Sequence, residues 1–548
     1  MSEPIYDART FWELLCRRVA ATPDTMMLVD ESGRSLTFAE FKDQAERVAA
    51  GLQDLGVAEG TPVTWVLPTR IETVLVSFAL SRLGAVQNPI IHIYRHREVE
   101  FCIRQTGAEL VVHPGVWSGF DYGAMVGEIV AGLDHEVQTL AGYDTLPEGD
   151  PATLPPVSDP SGAGAVRWLY YTSGTTSDPK GVKHTDASLI AGGVGLARAL
   201  DMTETDVGSI AFPYAHIGGP DYMVTMLAAG FGAVLVERFD PAAAVLSYAR
   251  HGVTMAGGST VFYQMFLAED RKSRESAGRP AMPALRVLSG GGAPKPPEVY
   301  FRVKEQMGVP VAHGYGMTEC PMISQGSPHD SDQQLAYTDG HPVHGCEVSI
   351  VAVAPDGGEA PAPAGIQGEV RVRGPMLFAG YTDPDLDAAA FDARGRFRTG
   401  DLGVLGPDGH LTLTGRVKDV IIRKGENISA KEIEDVLYAH PKVGAAAVIG
   451  LSDPERGERV CAVVETAPDS DDLTFDEMVE ACVAAGLARQ KVPEQLEIHP
   501  VALPRNATLK ILKHKLREVY EKRRAVNTTR RAVNTTRREV YEARQQEE

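Results

Sequence analysis

Residues 168–183, WLYYTSGTTSDPKGVK, combine the residue types that hold phosphate groups. An apolar, aromatic run at 168–171 leads into small and hydroxyl-bearing residues and then into Lys180. Glycines let backbone N–H groups turn toward an anion, hydroxyls add donors, and a lysine supplies a point charge for phosphate oxygens. The segment therefore predicts a buried strand that feeds a nucleotide-phosphate loop, without the G-x-x-x-x-G-K-[ST] spacing of a Walker A loop. An ordinary surface loop is the alternative.

Four further motifs follow and carry groups suited to chemistry on a nucleotide. GYGMTE places an aromatic ring, a hydroxyl and a carboxylate just after an apolar strand, and LPRNATLK ends in a lysine. Each motif alone is weak, because a carboxylate in a turn is usually solvated or caps a helix. Their joint order and spacing carry the interpretation. The motifs are GYGMTE at 314–319, TGD at 399–401, GRVKDVIIRKGENIS at 415–429 and LPRNATLK at 503–510.

Apolar periodicity predicts strands that alternate with helices around these motifs. Residues 10–21 form an amphipathic helical pattern, and Thr37 with Glu40 predicts a capping box that opens a second helix. Units of strand, helix and strand then follow, which is typical of α/β layers with largely parallel sheets. The predicted units are 64–67, 71–83 and 85–91; 233–237, a helix from 240–241 and 253–256; and 286–289, a turn at 290–292 and a helix from 297.

The pattern changes toward the C-terminus. From about residue 336, short strands alternate with Gly, Pro and Asp turns, which indicates a β-rich subdomain. After Gly415, a capping box formed by Ser429 with Glu432 and two apolar runs indicate a small α+β unit. The fold class is therefore α/β, with a large multi-layer body and a smaller second domain. We predict the body at 1–415, the small domain at 416–516 and a charged tail at 517–548.

The tail is repetitive. The heptapeptide RAVNTTR at 524–530 recurs at 531–537, and the surrounding charges alternate in sign. Such composition predicts a solvated helix or disorder, with a partner-binding arm as the alternative.

Composition limits the classes of function. The chain has 548 residues, of which 43% are hydrophobic and 23% charged, and its net charge is -20. The negative charge disfavours nucleic acid and anionic membranes as partners. No apolar run is long enough for a membrane span, and the N-terminus lacks the pattern of a secretory signal. Six scattered cysteines without a C-x-x-C pair favour reduced thiols. We expect a cytoplasmic protein, with a homodimer as one oligomeric state that the sequence leaves open.

Together the motifs resemble the adenylate-forming superfamily, which includes acyl-CoA synthetases, firefly-type luciferases and the adenylation domains of peptide synthetases. The resemblance covers roughly residues 10–516, and the set of motifs is specific. Within the superfamily the chain looks most like acid–CoA ligases of the cyclohexanecarboxylate or medium-chain type. The resemblance implies ATP, Mg²⁺ and coenzyme A as substrates and activator, without a tightly bound prosthetic group. It also implies that the small C-terminal domain is mobile.

The resemblance implies nucleotide-binding roles for residues of the body. The β- and γ-phosphates of ATP would be held by Ser173, Gly174, Thr175, Thr176 and Lys180. Tyr315 resembles the aromatic that packs on adenine, with Gly290, Gly291 and Gly292 as the other wall. Thr318 resembles the hydroxyl near the α-phosphate, and Glu319 resembles the ligand of Mg²⁺.

Other implied roles fall near and beyond residue 400. Asp401 and Arg416 resemble the pair that holds the ribose hydroxyls, and Lys510 resembles the catalytic lysine. Lys418 occupies the hinge position, and Gly425 lies on the loop that lines the pantetheine tunnel when the thioester forms. The residue types suit the chemistry, because a carboxylate that attacks the α-phosphate brings two anions together. Mg²⁺ on Glu319 and the ammonium of Lys510 would neutralise the charge that develops.

Two positions are open to more than one interpretation. His216, in FPYAHIGG, matches a position beside the acyl pocket in many relatives, and a satisfied core histidine is the alternative. Nearby Gly218 and Gly219 would leave room for a bulky acid. Relatives usually have glycine before the C-terminal lysine, whereas this chain has Leu509. If that position needs a positive φ, the leucine is strained there by about 1 kcal/mol or more.

The favoured function is an ATP-dependent acid–CoA ligase that works through an acyl-adenylate. The first alternative is an adenylating enzyme that passes its acyl group to a carrier protein or oxidises it, as luciferases do. The second, of another class, is a non-catalytic nucleotide-binding protein. The retained lysines and acids favour catalysis over the second, and the sequence does not name the acid.

Overall fold

The computed structural model describes residues 3–157, 162, 164–172, 179–353, 358–506 and 509–523. By their internal contacts the residues form two compact units. The first comprises Met1–Thr399 and Gly403–Leu413, and the second comprises Gly400–Leu402 and Thr414–Glu548. The domain bounds read from the sequence stay a prediction.

Helices and strands are numbered in chain order over the described residues. The helices α1 to α14 are Phe11–Ala21, Phe38–Asp54, Ile71–Leu83, His96–Thr106, Tyr122–Ala131, Asp186–Ala199, Gly218–Ala229, Pro241–His251, Thr260–Ala277, Pro297–Met307, Asp332–Tyr337, Asp387–Ala390, Ala430–Tyr438 and Phe475–Ala484. The strands β1 to β14 are Met26–Val29, Ser35–Thr37, Pro62–Trp65, Val86–Pro89, Leu110–His113, Val116–Trp117, Phe120–Asp121, Gln138–Ala141, Val166–Thr172, Lys180–Thr185, Val207–Ile210, Gly232–Leu235, Met255–Gly258 and Val287–Gly290. The strands β15 to β27 are Val311–Met317, Cys320–Gln325, His341–Pro342, Glu347–Val353, Glu359–Pro361, Gly368–Arg373, Phe397–Leu405, Leu411–Arg416, Ile421–Arg423, Glu426–Ile428, Val443–Asp453, Gly457–Thr466 and Gln495–Ile498.

A six-stranded sheet in the order β10-β9-β4-β3-β5-β8 forms one layer of the first unit. Its neighbours are parallel except at the edge, where β10 pairs with β9 in the antiparallel sense. Helix α3 lies where the sequence predicts it and is buried on all sides, as expected of a helix that is apolar all round. The predicted capping box of Thr37 and Glu40 opens α2.

Two more sheets complete the α/β layers of the first unit. One has the order β11-β12-β1-β2 and the other has the order β13-β14-β15-β16-β17. In the second of these, β13, β14 and β15 are parallel, and β16 and β17 continue the sheet in the antiparallel sense. Strands β13 and β14 approach so closely that a Cβ at Gly257 or Gly290 would overlap a carbonyl oxygen of the neighbouring strand. Glycine is required at both positions for this contact.

The β-rich part predicted after residue 336 contains a sheet in the order β19-β18-β20-β21-β22. Arg371, on β20, is fully buried and forms ion pairs with Glu359, Glu369 and Asp392 at 2.6, 2.9 and 3.1 Å. Its charge is therefore compensated by three carboxylates. These pairs tie β19 and β20 to the segment that follows α12.

The second unit contains an antiparallel sheet in the order β24-β23-β26-β25, with β27 parallel to β26. Alternate residues of β25 face two cores: Val448 packs with residues of α13 and α14, and Ile449 packs with Leu503 and Tyr520. This period of two is the pattern expected of a strand buried on both faces. The helix over residues 513–523 extends past the predicted end of the small domain, and Tyr520 is buried.

The predicted capping box at α13 is half formed. The Ser429 hydroxyl accepts from the backbone N–H of Glu432 at 3.4 Å. The carboxylate of Glu432 accepts instead from Nζ of Lys491 at 2.7 Å, so a salt bridge takes the place of the reciprocal bond. Residues 524–548, which contain the repeat, lie outside the described residues. No described helix has the length and apolarity that crossing a membrane requires.

Candidate active site

Lys180 begins strand β10 and faces Thr172 at the end of β9 across an antiparallel pair. The predicted strand before the phosphate loop is therefore present as β9, and the lysine is placed on the strand that leaves the loop. Ser173, Gly174, Thr175 and Thr176 lie outside the described residues. The role predicted for these four residues remains a prediction.

The GYGMTE motif forms the end of β15 and the turn into β16. The sequence placed this motif after a strand, whereas the strand continues to Met317 because β16 pairs back on it. Tyr315 is buried within this hairpin. Gly291 lies against the motif, since a Cβ there would meet the carbonyl oxygen of Gly314, and Gly292 has a φ of +79°. Of the predicted adenine walls, Tyr315 lies on β15 and Gly290 ends the adjacent strand β14, while Gly291 and Gly292 follow that strand.

The side chains of Glu319 and Lys180 both contact Tyr381, a residue that the sequence did not indicate. Oε1 of Glu319 accepts a hydrogen bond of 2.8 Å from the hydroxyl of Tyr381. Nζ of Lys180 lies 5.2 Å from the centroid of the same tyrosine ring, within the range of a cation–π contact. The predicted metal ligand and the predicted phosphate lysine are therefore brought together.

Glu319 fits Mg²⁺ by the chemistry of its carboxylate. Mg²⁺ is usually held by one or two carboxylates together with substrate phosphates, and not by a cage of protein ligands. Among the described residues, no cluster of three or more His, Cys, Asp or Glu side chains could hold a metal ion. Tyr381 engages Oε1, and no side chain in the described part of the chain bonds to Oε2.

A cavity of about 20 Å³ lies between the β9 strand and the start of α7. Thr318 and His216 both line it, together with the rings of Tyr170 and Tyr171. Two predicted site residues that are far apart in sequence are thus neighbours on one cavity wall. The cavity has room for about one water molecule.

His216 is neutral. Burial lowers the pKa of its imidazole to about 4. Its Nδ1 accepts from the backbone N–H of Gly218 at 3.2 Å, so the ring proton is on Nε2. The histidine caps the start of α7 and can offer only a neutral N–H donor to a ligand. A Cβ at Gly219 would overlap the carbonyl oxygen of Tyr214, so this glycine serves chain packing.

In the second unit, three predicted residues share one environment. Nε of Arg416 forms an ion pair of 2.8 Å with Oδ1 of Asp401. Burial lowers the pKa of Lys510 to about 8, and the charge of Arg416 acts in the same direction, while Asp401 and Asp419 oppose them. The lysine thus lies close enough to Asp401 and Arg416 for their charges to affect its protonation.

Asp401 lies within strand β21 and not in a turn. The TGD motif is part of Phe397–Leu405, where Gly400 has a φ of +70°. Lys418 is exposed in the 3₁₀ turn Val417–Asp419. Gly425, with a φ of +83°, follows Lys424, with a φ of +51°, in the two-residue turn between β23 and β24. Two positive φ values in succession define a type I′ hairpin turn, which favours glycine.

Comparison with known proteins shows the family of this chain. The profile of the family described as AMP-binding enzyme matches residues 15–382, and that of its C-terminal domain matches residues 432–510. This chain belongs to the AMP-binding enzyme family. The predicted superfamily and the predicted α/β fold class are thereby confirmed.

Related AMP-binding enzymes cover nearly the whole chain. A medium-chain fatty-acid–CoA ligase of Escherichia coli is 29% identical over 93% of this chain and 89% of that protein. A salicyl-AMP ligase / salicyl-S-ArCP synthetase of Mycobacterium tuberculosis is 30% identical over 93% of this chain and 91% of that protein. The structure of o-succinylbenzoate CoA synthetase from Bacillus subtilis, in complex with its acyl-adenylate intermediate, has a TM-score of 0.78 and 29% identity, covering 94% of this chain and 98% of that one.

The sequence does not indicate two residues of this AMP-binding enzyme that contact the GYGMTE motif. Tyr381 is one, and His184 is the other. The ring of His184 is buried, with Nε2 2.7 Å from the carbonyl oxygen of Thr318 and Nδ1 2.9 Å from Oγ of Ser188. Neither has a local signal, because each contact joins segments that are distant in sequence.

Leu509 has a φ of +62°, so the condition for the strain expected at this leucine is met. The side-chain oxygen of Asn506 accepts a hydrogen bond from the backbone N–H of Lys510 at 2.9 Å. A β-carbon in this conformation costs about 1 kcal/mol or more. The Lys510 backbone is thus held in place at the expense of local strain.

We expect Leu509→Gly to leave the adenylation rate equal or higher, because glycine adopts this backbone without strain. The rate is measured as ATP–pyrophosphate exchange, and folding is checked by thermal unfolding. Asp469→Gly is the matched control, since Asp469 is exposed and has a φ of +60° elsewhere in the second unit. A large loss of exchange in Leu509→Gly alone would show that the leucine side chain takes part in the working site.

Proposed function

We propose that this AMP-binding enzyme is an ATP-dependent carboxylic acid–CoA ligase. In the first step, the carboxylate attacks the α-phosphate of ATP, and pyrophosphate leaves as the acyl-adenylate forms. In the second step, the thiol of CoA attacks the acyl carbon, and AMP leaves as the thioester forms. The chain is thus an acid–thiol ligase that uses ATP, Mg²⁺ and CoA. Its relationship to the E. coli medium-chain fatty-acid–CoA ligase supports this assignment.

One observation carries the proposal. The side chains of Glu319 and Lys180 both contact Tyr381, and Thr318, the residue before Glu319, lines a cavity together with His216. A carboxylate suited to Mg²⁺, a phosphate-binding ammonium and a hydroxyl are the groups that adenylation requires around a triphosphate. Mg²⁺, when bound at Glu319, would supply positive charge to the phosphate oxygens. In this proposal Lys180 binds the departing pyrophosphate, with the loop 173–176 adding donors. Thr318 donates to the α-phosphate.

The residues of the adenosine site follow the same proposal. Tyr315 and the Gly290 to Gly292 turn hold the adenine, and Asp401 with Arg416 holds the ribose hydroxyls. The carboxylate of Asp401 would accept hydrogen bonds from both ribose hydroxyls, and its ion pair with Arg416 keeps the carboxylate oriented. Lys510 supplies its ammonium to the charge that develops in adenylation. Lys418 acts as the hinge, and Gly425 lines the path of the thiol in the second step.

The acid is proposed to be apolar. Phe262 and Met322 are buried close to the glycine-rich strands, since a Cβ at Gly258 would meet the ring of Phe262 and a Cβ at Gly314 would meet Met322. These two apolar side chains are proposed as part of the wall against the acid. An apolar wall accepts straight-chain, alicyclic or aromatic acids, and it discriminates a methylene by only about 1–3 kcal/mol. A panel of acids is therefore needed to find the substrate.

Carboxylate-dependent ATP–pyrophosphate exchange without CoA tests the first step. We expect exchange with one shape class in a panel of straight-chain, alicyclic and aromatic acids. CoA and a pantetheine-bearing carrier protein are then offered as acceptors in parallel. Thioester formation on CoA supports the ligase. Transfer to the carrier protein alone would show instead an enzyme that loads a carrier protein, the activity that the name of the M. tuberculosis relative suggests. ATP binding without exchange for any acid would favour a non-catalytic protein.

The lowered pKa of Lys510, about 8, predicts a pH dependence. The ammonium is the active form, so the protonated fraction falls as the pH rises through 8. We expect kcat/KM for ATP in the exchange reaction to fall tenfold per pH unit above this value. In the pH profile of kcat, the fall in rate should begin at a higher pH, because bound phosphates stabilise the ammonium.

Lys510→Arg is the control for this dependence. A guanidinium remains charged throughout this range, so the limb near pH 8 should disappear even if the rate is lower. The same limb in the arginine variant would assign the titration to another group.

A further inference from the structure

Residues 378–382, FAGYT, form a segment that lies along strand β10. The backbone N–H of Ala379 donates to the carbonyl of Lys183 at 2.7 Å, and the N–H of Lys183 donates to Gly380 at 3.1 Å. The N–H of Thr382 donates to the carbonyl of Gly181 at 2.8 Å. The segment is thereby fixed to the strand that begins at Lys180.

The same segment is also fixed to Glu319. The backbone N–H of Phe378 donates to the carbonyl oxygen of Glu319 at 2.9 Å, and the Tyr381 hydroxyl donates to its carboxylate at 2.8 Å. One short segment thus holds both the backbone and the side chain of the metal-binding residue. Because it is also bonded to β10, it sets the position of Glu319 relative to Lys180.

Tyr381 is the residue of the segment that contacts both functional side chains. Its side chain is 4% exposed, and its ring packs on Phe378 with centroids 4.8 Å apart. The hydroxyl binds Glu319, and the ring lies 5.2 Å from Nζ of Lys180.

Two features hold Tyr381 itself. Its backbone N–H donates to Oδ1 of Asp387, at the start of α12, at 2.9 Å. At Gly181 a β-carbon would collide with the side chain of Thr382, so the glycine lets the segment approach β10. The position of the tyrosine is therefore determined from three sides: β10, Glu319 and α12.

We propose that Tyr381 is a positioning residue for metal and phosphate binding, because its hydroxyl orients the Glu319 carboxylate while its ring orients Lys180. The proposal rests on the function proposed above and adds a residue to it. A hydrogen bond on Oε1 restricts rotation of the carboxylate and leaves Oε2 available to a cation. Removing such an outer partner of a metal ligand typically lowers metal affinity about ten- to hundredfold.

Tyr381→Phe tests the hydroxyl while keeping the ring, its packing on Phe378 and its contact with Lys180. The main readout is binding of Mn²⁺, followed by electron paramagnetic resonance, to the protein saturated with an ATP analogue that cannot be cleaved between the α- and β-phosphates. We expect Mn²⁺ affinity about tenfold lower, the low end of the range for an outer partner. The Mg²⁺ concentration for half-maximal exchange should rise by the same factor.

Tyr300→Phe is the matched control. Tyr300 lies on helix α10, and its hydroxyl also donates to a carboxylate, that of Asp332, at 2.6 Å. It should leave Mn²⁺ affinity unchanged, while thermal unfolding reports the structural cost of losing such a bond in both variants. Unchanged Mn²⁺ affinity in folded Tyr381→Phe would overturn the proposal.

A double-mutant cycle separates this proposal from the function it rests on. In Glu319→Gln, further loss of the Tyr381 hydroxyl should have no additional effect on Mn²⁺ affinity, because position 319 no longer carries the carboxylate that would hold the cation. Additive effects would overturn the positioning role while leaving Glu319 as the ligand. If Glu319→Gln alone changes neither Mn²⁺ affinity nor exchange, the proposed metal site fails instead.

Discussion

Lys510→Ala is expected to slow ATP–pyrophosphate exchange by about 10²–10³, the usual cost of removing one group that stabilises developing charge. The ammonium lies in an environment where Arg416 and burial already disfavour its charge, so it gains most when bound phosphates arrive. The effect should appear in kcat/KM for ATP and in kcat, because the charge builds up in the transition state. The measurement is exchange with saturating acid, at a pH below 8.

The second half-reaction provides the contrast for Lys510→Ala. Conversion of a synthetic acyl-adenylate and CoA to the thioester involves no departure of pyrophosphate, so it should be slowed much less. Lys515→Ala, an exposed lysine on the helix over residues 513–523, is the matched control for loss of a positive charge. Equal loss in both half-reactions would show that the lysine is needed for folding or for binding in general.

Glu319→Gln is expected to reduce exchange by a similar factor, about 10²–10³, because the amide keeps the shape but loses the charge that attracts Mg²⁺. The Tyr381 hydroxyl can still donate to the amide oxygen, so the fold around position 319 should be retained. Titration of exchange activity with Mg²⁺ measures the effect. A shift of the titration to higher Mg²⁺ identifies weaker metal binding.

Asp332→Asn is the matched control, because Asp332 also accepts a hydrogen bond from a tyrosine hydroxyl. It should leave the Mg²⁺ titration unchanged. A Glu319→Gln variant that exchanges at the rate of the unaltered protein would remove Glu319 from the site and place the metal elsewhere.

Local patterns predicted the elements of the fold well where apolar periodicity was strong. Helix α3, Ile71–Leu83, has the predicted bounds, and β3 and β4 are displaced from theirs by one or two residues. The strand order of the six-stranded sheet could not be read in the same way. It depends on which apolar faces pack together across long loops, and single-sequence periodicity carries no such information.

The candidate site was predictable to the extent that its residues stand in motifs. The sequence indicated Lys180, Glu319 and Lys510, and it singled out Leu509 because relatives usually have glycine there. It contained no sign of Tyr381, which lies 62 residues from Glu319 and in a segment with no local pattern of its own. It did not indicate that Asp401 lies within a strand, because the pairing of β21 is set at long range.

The close approach of β13 and β14 has a consequence for engineering. Gly257 and Gly290 admit no side chain, and Gly291 admits none without displacing the backbone of Gly314. Saturation libraries at these three positions would yield mostly unfolded variants, so they would carry almost no information about substrate choice. Altered acid preference should instead be sought at Phe262 and Met322, the buried apolar side chains proposed to form the wall against the acid. Directed evolution can therefore vary the apolar side chains proposed to face the acid, whereas Gly257, Gly290 and Gly291 must stay unchanged.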